Sequence, residues 1–273
     1  MLNQNPKVSV ITASYNSGTT IEKTIKSVLA QTYPNIEYII IDGGSTDGTI
    51  EIIKKYQDKI AFWSSEPDRG IADAWNKGIA KATGEYVAFI GADDTYEVDG
   101  IEKVVMKFNS EPEAGFVFGN VYLNAPDNNL RIAWYGDRNY SINMKSKMTI
   151  PHLSVFVKRE LFEQFGLFDL NYRIAIDYEF LLRLINQNIQ GSYVDAFIGN
   201  MLIGGVSTNR YFRSYWETMK ISIKYGKNPL ISYLLFVLRV VKTSLRKLFE
   251  HFKLNRIIKW YHSFFNKRFK HLP

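Results

Sequence analysis

The sequence predicts an α/β fold, a mainly parallel sheet flanked by helices and followed by a helical C-terminal appendage. Three observations predict it. Short apolar runs alternate with segments of helical period over residues 8–120, the rhythm of strand–helix–strand units. Each early run stops at small or polar residues, as strands do when their carboxyl ends open onto a ligand crevice. From Ser214 onward the pattern changes to long helical segments with little turn chemistry.

Taken in order, Val8-Ser9-Val10-Ile11-Thr12 reads as the first strand. Thr19 to Gln31 carries apolar residues at Ile21, Ile25, Val28 and Leu29, the spacing of one helix face. Ile36 to Ile41 is a second strand ending at Asp42-Gly43-Gly44, and Thr49 to Tyr56 a helix. Ala61 to Ser64 is a short strand, Ile71 to Ala82 a helix, and Tyr86 to Ile90 a buried strand that stops at Gly91-Ala92-Asp93-Asp94. Strand-like residues return at 115–123 and 153–157, and a helix is expected over Tyr178 to Ile189. We place a domain over residues 1–215 and a basic helical tail over 216–273.

The 273 residues and 46% hydrophobic content are ample for a core, and the absence of cysteine excludes disulfides, thiolate metal sites and a cysteine nucleophile. No secretory leader is expected before the first strand, and no apolar stretch is long enough for a conventional membrane span. The net charge of +7 is uneven. From Lys224 onward 12 Lys and Arg face a single acid, Glu250, whereas the preceding residues hold 22 bases and 26 acids. That asymmetry points to a polyanionic surface, lipid or nucleic acid, as partner of the tail.

The chemistry gathers at the strand ends. Adjacent carboxylates such as Asp93 and Asp94 repel each other, and at a sheet edge they suit an oxygen-liganded Mg²⁺ or Mn²⁺ shared with substrate phosphates; the bland alternative is a solvated turn. Asp42 is placed to accept hydrogen bonds from a base or ribose. The residues after it also read as an ordinary strand-to-helix turn with Ser45, Thr46 or Asp47 as cap. No Gly-x-Gly-x-x-Gly follows the first strand, which argues against a dinucleotide oxidoreductase.

The order of segments resembles the inverting family 2 glycosyltransferases of GT-A fold, closest to bacterial members that build O-antigens, capsules and exopolysaccharides. The matching stretches are Val8 to Asn16, Tyr38 to Thr49, Ser65 to Ile71 with Trp75 to Ile79, and Thr83 to Tyr86 leading into Asp93-Asp94. Phe168-Asp169, Asp177 to Leu184 and Gly204-Gly205-Val206-Ser207 follow. The resemblance implies a Rossmann-like sheet and transfer of a sugar, with inversion, from a nucleotide-diphosphate-sugar to a hydroxyl of a glycan or lipid-linked acceptor. It implies that Thr12, Tyr15 and Asp42 line the nucleotide pocket, that Asp94 coordinates the metal, and that Asp93 touches the ribose or donor sugar. Asp177 matches the general base; its alternative reading is a helix N-cap. Uridine donors are the default by family frequency, and a polyprenyl-linked acceptor is one expectation.

The chain departs from the family twice: Gly91 stands where an Asp often completes a DxD, and Ile176 where a Glu often precedes the base. The first departure leaves open a non-catalytic nucleotide-sugar-binding scaffold. Arg69 is either a phosphate ligand or a surface charge paired with Asp68. His152 and Ser207 are weaker candidates, each with a purely structural alternative.

In the tail, Pro229 to Leu238 is almost wholly apolar but interrupted by Arg239. Within 254–270, Ile257, Ile258, Trp260, Tyr261, Phe264, Phe265 and Phe269 share one helical face opposite lysines, the pattern of an interfacial helix on anionic lipid. The aromatics are segregated from the bases, which disfavours nucleic acid. The expected location is the cytoplasmic, inner face of the cell membrane.

Overall fold

The computed structural model describes residues 5–125, 131–203, 210–251 and 269–271. The first half builds β1 (Val8–Ser14), α1 (Ile21–Leu29), β2 (Ile36–Asp42), α2 (Thr49–Lys55), β3 (Phe62–Ser65), α3 (Ile71–Ile79) and β4 (Tyr86–Gly91). The next stretch adds β5 (Thr95–Tyr96), α4 (Gly100–Ser110), β6 (Phe116–Asn124), β7 (Arg131–Trp134), α5 (Tyr140–Asn143) and β8 (Phe156–Lys158). It closes with α6 (Glu160–Phe165), α7 (Ile176–Asn186), β9 (Gly191–Leu202), α8 (Tyr211–Lys224), α9 (Pro229–His251) and β10 (Phe269–His271).

Strand order is β10-β7-β6-β8-β4-β1-β2-β3, with β9 alongside β6 and β5. From β4 through β1 and β2 to β3 every pairing is parallel, as the alternating rhythm predicts. Beyond β4 the sheet turns mixed: β8 runs antiparallel to both β4 and β6, and β7 antiparallel to β6, while β9 is parallel to β6. The expected strand near 153–157 is a 3-10 turn at His152–Ser154 followed by β8.

The period of two in each strand sorts the core into two layers. Ile39 and Ile41 of β2, with Val87 and Phe89 of β4, face Trp75 of α3 and Phe180 of α7. Tyr38 and Ile40, with Tyr86, Ala88 and Ile90, face Ile21 and Ile25 of α1 and Val104 of α4. Buried on both faces, these strands read as near-continuous apolar runs. Phe168 sits inside an aromatic cluster, its ring centroid 5.0 Å from Phe89 and from Phe180 and 5.2 Å from Trp75. Its turn is held by paired bonds with Asn76, which fits a scaffolding role for this segment.

The expected boundary at 215/216 falls within α8, which is tied into the α/β layer. The fully buried Glu179 of α7 takes hydrogen bonds from Arg183, from Lys224 at 2.9 Å and from the Tyr225 hydroxyl at 2.6 Å. Glu217 of α8 reaches back to the backbone ahead of α7. Among the described residues no helix is long and apolar enough to cross a membrane. Residues 254–268 of the expected interfacial helix lie outside the described residues. Phe269 and Lys270 are not helical: they form β10, which pairs antiparallel with β7.

Candidate active site

Parallel pairing sets the geometry of the crevice. Ser14 of β1 is in register with Asp42 of β2, and Ala13 with Gly91 of β4, so the three strand ends finish level. Asp42 and the Asp93-Asp94 pair therefore flank β1, with their strands about 10 Å apart at the usual interstrand spacing. The buried Ser14 hydroxyl lies between them without a hydrogen-bond partner among the described residues.

Asp42 is fully buried and its carboxylate is occupied. Oδ2 accepts from the amides of Gly44 (3.1 Å) and Ser45 (2.9 Å) and from the Ser65 hydroxyl (2.6 Å); Oδ1 accepts from the Ser45 hydroxyl (2.5 Å). Three of the four donors converge on Oδ2, so only one lone pair, on Oδ1, is left for anything else. In this structure Asp42 chiefly shapes the loop on which a ligand would lie. Thr12 is also turned inward: its hydroxyl meets the Tyr38 hydroxyl at 3.0 Å inside the core. Tyr15, by contrast, is exposed at the crevice. A Cβ placed on Gly43 would lie 3.3 Å from the Tyr15 ring and 2.8 Å from Asp68 Oδ2, so this glycine allows the loop to pass both. Asp68, which the sequence offered only as a partner for Arg69, is thus brought beside Tyr15. Arg69 pairs instead with Asp73, one turn along α3, at 3.2 Å, and its side chain is mostly exposed.

The other side of the crevice is acidic. Asp93 is exposed and Asp94 buried. Both carboxylates close over Gly91, where an added Cβ would stand 2.9 Å from Asp93 Oδ1 and 3.1 Å from Asp94 Oδ2. Burial, followed by the charge of Asp93, pushes the Asp94 pKa up to about 8, against a partial offset from the Leu202 amide that donates to Oδ1 at 3.1 Å. The buried Tyr96 hydroxyl, raised first by burial and then by the charge of Asp94, has no partner among the described residues.

His152 enters from the 3-10 turn. Leu153 and Ser154 are fully buried, and Ser154 bonds to the carbonyls of Gly119 and Pro151, which fixes the turn. The imidazole Nε2 then stands 3.9 Å from Asp94 Oδ2. His152 also acts on Asp177: burial raises the Asp177 pKa, and the charge of His152 is the main influence pulling it down. The imidazole thus stands beside Asp94, and its charge reaches Asp177 as well.

Asp177 lies in the first turn of α7; the cap position itself belongs to Ala175. The Asp177 Oδ1 accepts the Tyr178 amide at 2.8 Å. Ala175 has no side chain able to cap, and the segment that enters α7 is held from α8. Glu217 accepts the amides of Arg173 (3.1 Å), Ile174 (2.8 Å) and Ala175 (3.0 Å). Arg213 completes this carboxylate with a 2.8 Å bond. Sequence reading missed Glu217 because it lies more than forty residues from the backbone it holds. Ser207, with Gly204 to Val206, lies outside the described residues.

The pair above Gly91 fits a divalent cation. Two carboxylates converge without intervening side-chain carbon, burial and then their repulsion raise the inner pKa, and an imidazole is at hand. Among the described residues no three His, Asp or Glu are arranged to hold a metal unaided. A cation here therefore needs further oxygens from a ligand.

The mostly parallel sheet flanked by helices, with carboxylates level at its strand ends, is similar to the fold of GT-A glycosyltransferases. The chain belongs to Glycosyl transferase family 2, whose model matches residues 9–164, more than half its length. It is 27% identical over 227 residues to a PGL/p-HBAD biosynthesis glycosyltransferase of Mycobacterium bovis, covering 81% of this chain and 87% of that one. Its fold resembles S. aureus TarS 1–349 in complex with UDP-GlcNAc, with a TM-score of 0.59 at 17% identity over 84% of this chain and 70% of that one. Against the longer TarS chain the match covers 43% of that protein. It also resembles the mannosyltransferase PcManGT of Pyrobaculum calidifontis in complex with GDP-Man and Mn²⁺. There the TM-score is 0.63 at 23% identity, over 85% of this chain and 68% of that one.

Proposed function

We propose that the protein transfers a sugar, with inversion, from a nucleotide-diphosphate-sugar to a hydroxyl of a glycan or polyprenyl-linked acceptor in cell-surface polysaccharide or glycolipid synthesis. One observation carries the reading: half-buried Asp177 in the first turn of α7 feels the charge of the His152 imidazole, which stands 3.9 Å from Asp94. A base for the acceptor and a seat for the departing diphosphate are thus neighbours. The family supports this, as do the similar structures in complex with UDP-GlcNAc and with GDP-Man.

In this reading Tyr15 and Asp68 border the nucleotide, and Asp42 holds the loop beneath it. The acceptor hydroxyl donates its hydrogen bond to Asp177 Oδ2, and that carboxylate takes the proton as the acceptor oxygen bonds to the anomeric carbon. The bond from that carbon to the diphosphate breaks, and its electron pair leaves with the phosphate oxygen. Burial raises the Asp177 pKa; a charged His152 opposes that rise and adds positive charge beside Asp94, where the leaving group would sit. Asp94 and Asp93 would hold Mg²⁺ or Mn²⁺, which when bound supplies charge to the departing diphosphate. The net charge of the tail supports work on the inner face of the membrane.

The test is to incubate the protein with Mn²⁺, a lipid-linked acceptor and a panel including UDP-GlcNAc, UDP-glucose and GDP-mannose. Release of nucleoside diphosphate is followed, together with the anomeric coupling of the product by NMR. Metal-dependent release and an inverted linkage are expected. Donor binding without any release would establish the scaffold reading, and a retained linkage would remove Asp177 from the role of base.

A further inference from the structure

The helix α9 is built inside out. Its buried side carries Ser232, Phe236 and Thr243, with half-buried Arg239 bonding to the Ser146 carbonyl at 3.0 Å. That side packs on α8, where Phe236 meets the rings of Phe212 and Trp216 at 5.4 and 5.6 Å and Thr243 bonds to Tyr215 at 3.0 Å. The opposite side is an apolar stripe of Ile231, Leu234, Leu238, Val241, Leu245 and Leu248, each between 46% and 57% exposed. Alternating steps of three and four residues keep these six on one face, over about 26 Å at the helical rise. A monomer in water would ordinarily turn this face inward.

We propose that this stripe docks on an anionic lipid surface, with α9 lying in the plane of the membrane. Charge decides the occupant. Between Glu217 and Glu250 the sequence contains no Asp or Glu; of the cations in that interval Lys224, Lys227 and Arg239 bond inward to Glu179 and Ser146, whereas Lys220 and Lys242 are exposed. Exposed Lys242 flanks the stripe directly. Aromatics with cations at their faces mark the margin: Lys220 stands 5.2 Å from the Trp216 ring and Lys247 4.5 Å from the Tyr211 ring. Such amphipathic rings suit the headgroup level. A second copy of the chain would also accept a stripe of this spacing, but a paired seam needs opposite charges along its flanks, and here both copies would present cations. Anionic headgroups complement them.

The inference rests on the membrane-facing reading above and deepens it by naming the surface. Through Glu217, α8 connects that surface to the backbone that carries Asp177. A docked α9 therefore keeps the site within reach of an acceptor whose lipid end is in the bilayer.

The experiment is flotation of the full chain with phosphatidylcholine vesicles, with and without phosphatidylglycerol, alongside nucleoside diphosphate release as a folding control. Wild type should float with the anionic vesicles only. The variant Leu234→Gln/Leu238→Gln/Leu245→Gln should lose about tenfold or more in partitioning with release of nucleoside diphosphate unchanged. Equal flotation of that variant, with loss instead in Trp260→Ser/Phe264→Ser, would overturn the proposal in favour of the 254–270 segment. A wild-type dimer in sedimentation that the triple variant converts to monomer would overturn it in favour of self-association. Failure of wild type to float would sink the membrane reading as well, and leave the transfer chemistry standing if release persists.

Discussion

Replacing Glu217 with alanine should damage both stability and catalysis, although the residue lies on α8 and touches no substrate. Its carboxylate is 4% exposed and accepts three consecutive backbone amides, those of Arg173, Ile174 and Ala175. Burial pushes its pKa up, but the bonds from Arg213 and those amides outweigh that and hold it below the ordinary carboxylate value. In Glu217→Ala, water can reach Arg173, which is exposed, but Ala175 is buried and Ile174 half-buried. Two donors stranded at about 1–3 kcal/mol each give a loss of roughly 3 kcal/mol. For a domain of this size that corresponds to a Tm drop of about 6–12 °C. The same amides set the start of α7, so Asp177 should shift and kcat fall by roughly tenfold or more, with donor KM little changed. Differential scanning fluorimetry and a nucleoside diphosphate release assay measure the two effects. A Tm within about 1 °C of wild type, together with unchanged kcat, would refute the claim that α8 positions the base.

Other perturbations separate the remaining parts of the account. Asp94→Ala should abolish metal-dependent donor binding in calorimetry with Mn²⁺ and UDP, and EDTA should stop turnover of wild type until Mn²⁺ is restored. Gly91→Ala places a methyl 2.9 Å from Asp93 Oδ1 and 3.1 Å from Asp94 Oδ2, so the carboxylates must move apart. Donor KM should rise several-fold while Tm stays near wild type, and an unchanged KM would show that the pair is not used. On acidification, Glu179 and Glu217 both have folded pKa values below the ordinary 4.5, burial being outweighed by their cationic and N–H partners. Their stabilisation is present above that value and is lost as pH falls through the folded values. Tm should therefore drop more steeply below pH 4.5 in wild type than in Glu217→Gln.

Much of the catalytic half was legible in the sequence for local reasons. The runs of β1, β2 and β4 are buried on both faces and end in turn residues, so their carboxyl ends, and Asp42, Asp93 and Asp94 with them, could be placed directly. Asp177 is singled out as the base by the family resemblance; its position at the head of an amphipathic helix by itself reads as an N-cap. The less legible parts are those made by distant pairing. The strand β9 has apolar residues on both faces and a shift of register against β6 near Asn120, which hides its alternation, yet its end supplies the Leu202 amide to Asp94. The cap from Glu217 and the Arg69–Asp73 pair depend on side chains choosing among partners, which spacing alone does not decide. Composition marked the tail as basic and apolar, but which face of α9 stays outside follows only from its packing on α8.

The central claim is that Asp177 takes the proton from the acceptor. It is tested most directly by comparing kcat and donor Kd of Asp177→Asn with wild type, using whichever donor the panel identifies. The amide keeps the shape and the hydrogen bond from Tyr178 but cannot accept a proton at neutral pH. Donor Kd should stay within about twofold, while kcat falls by roughly 10²–10⁴-fold. Turnover at the wild-type rate in this variant would contradict the account.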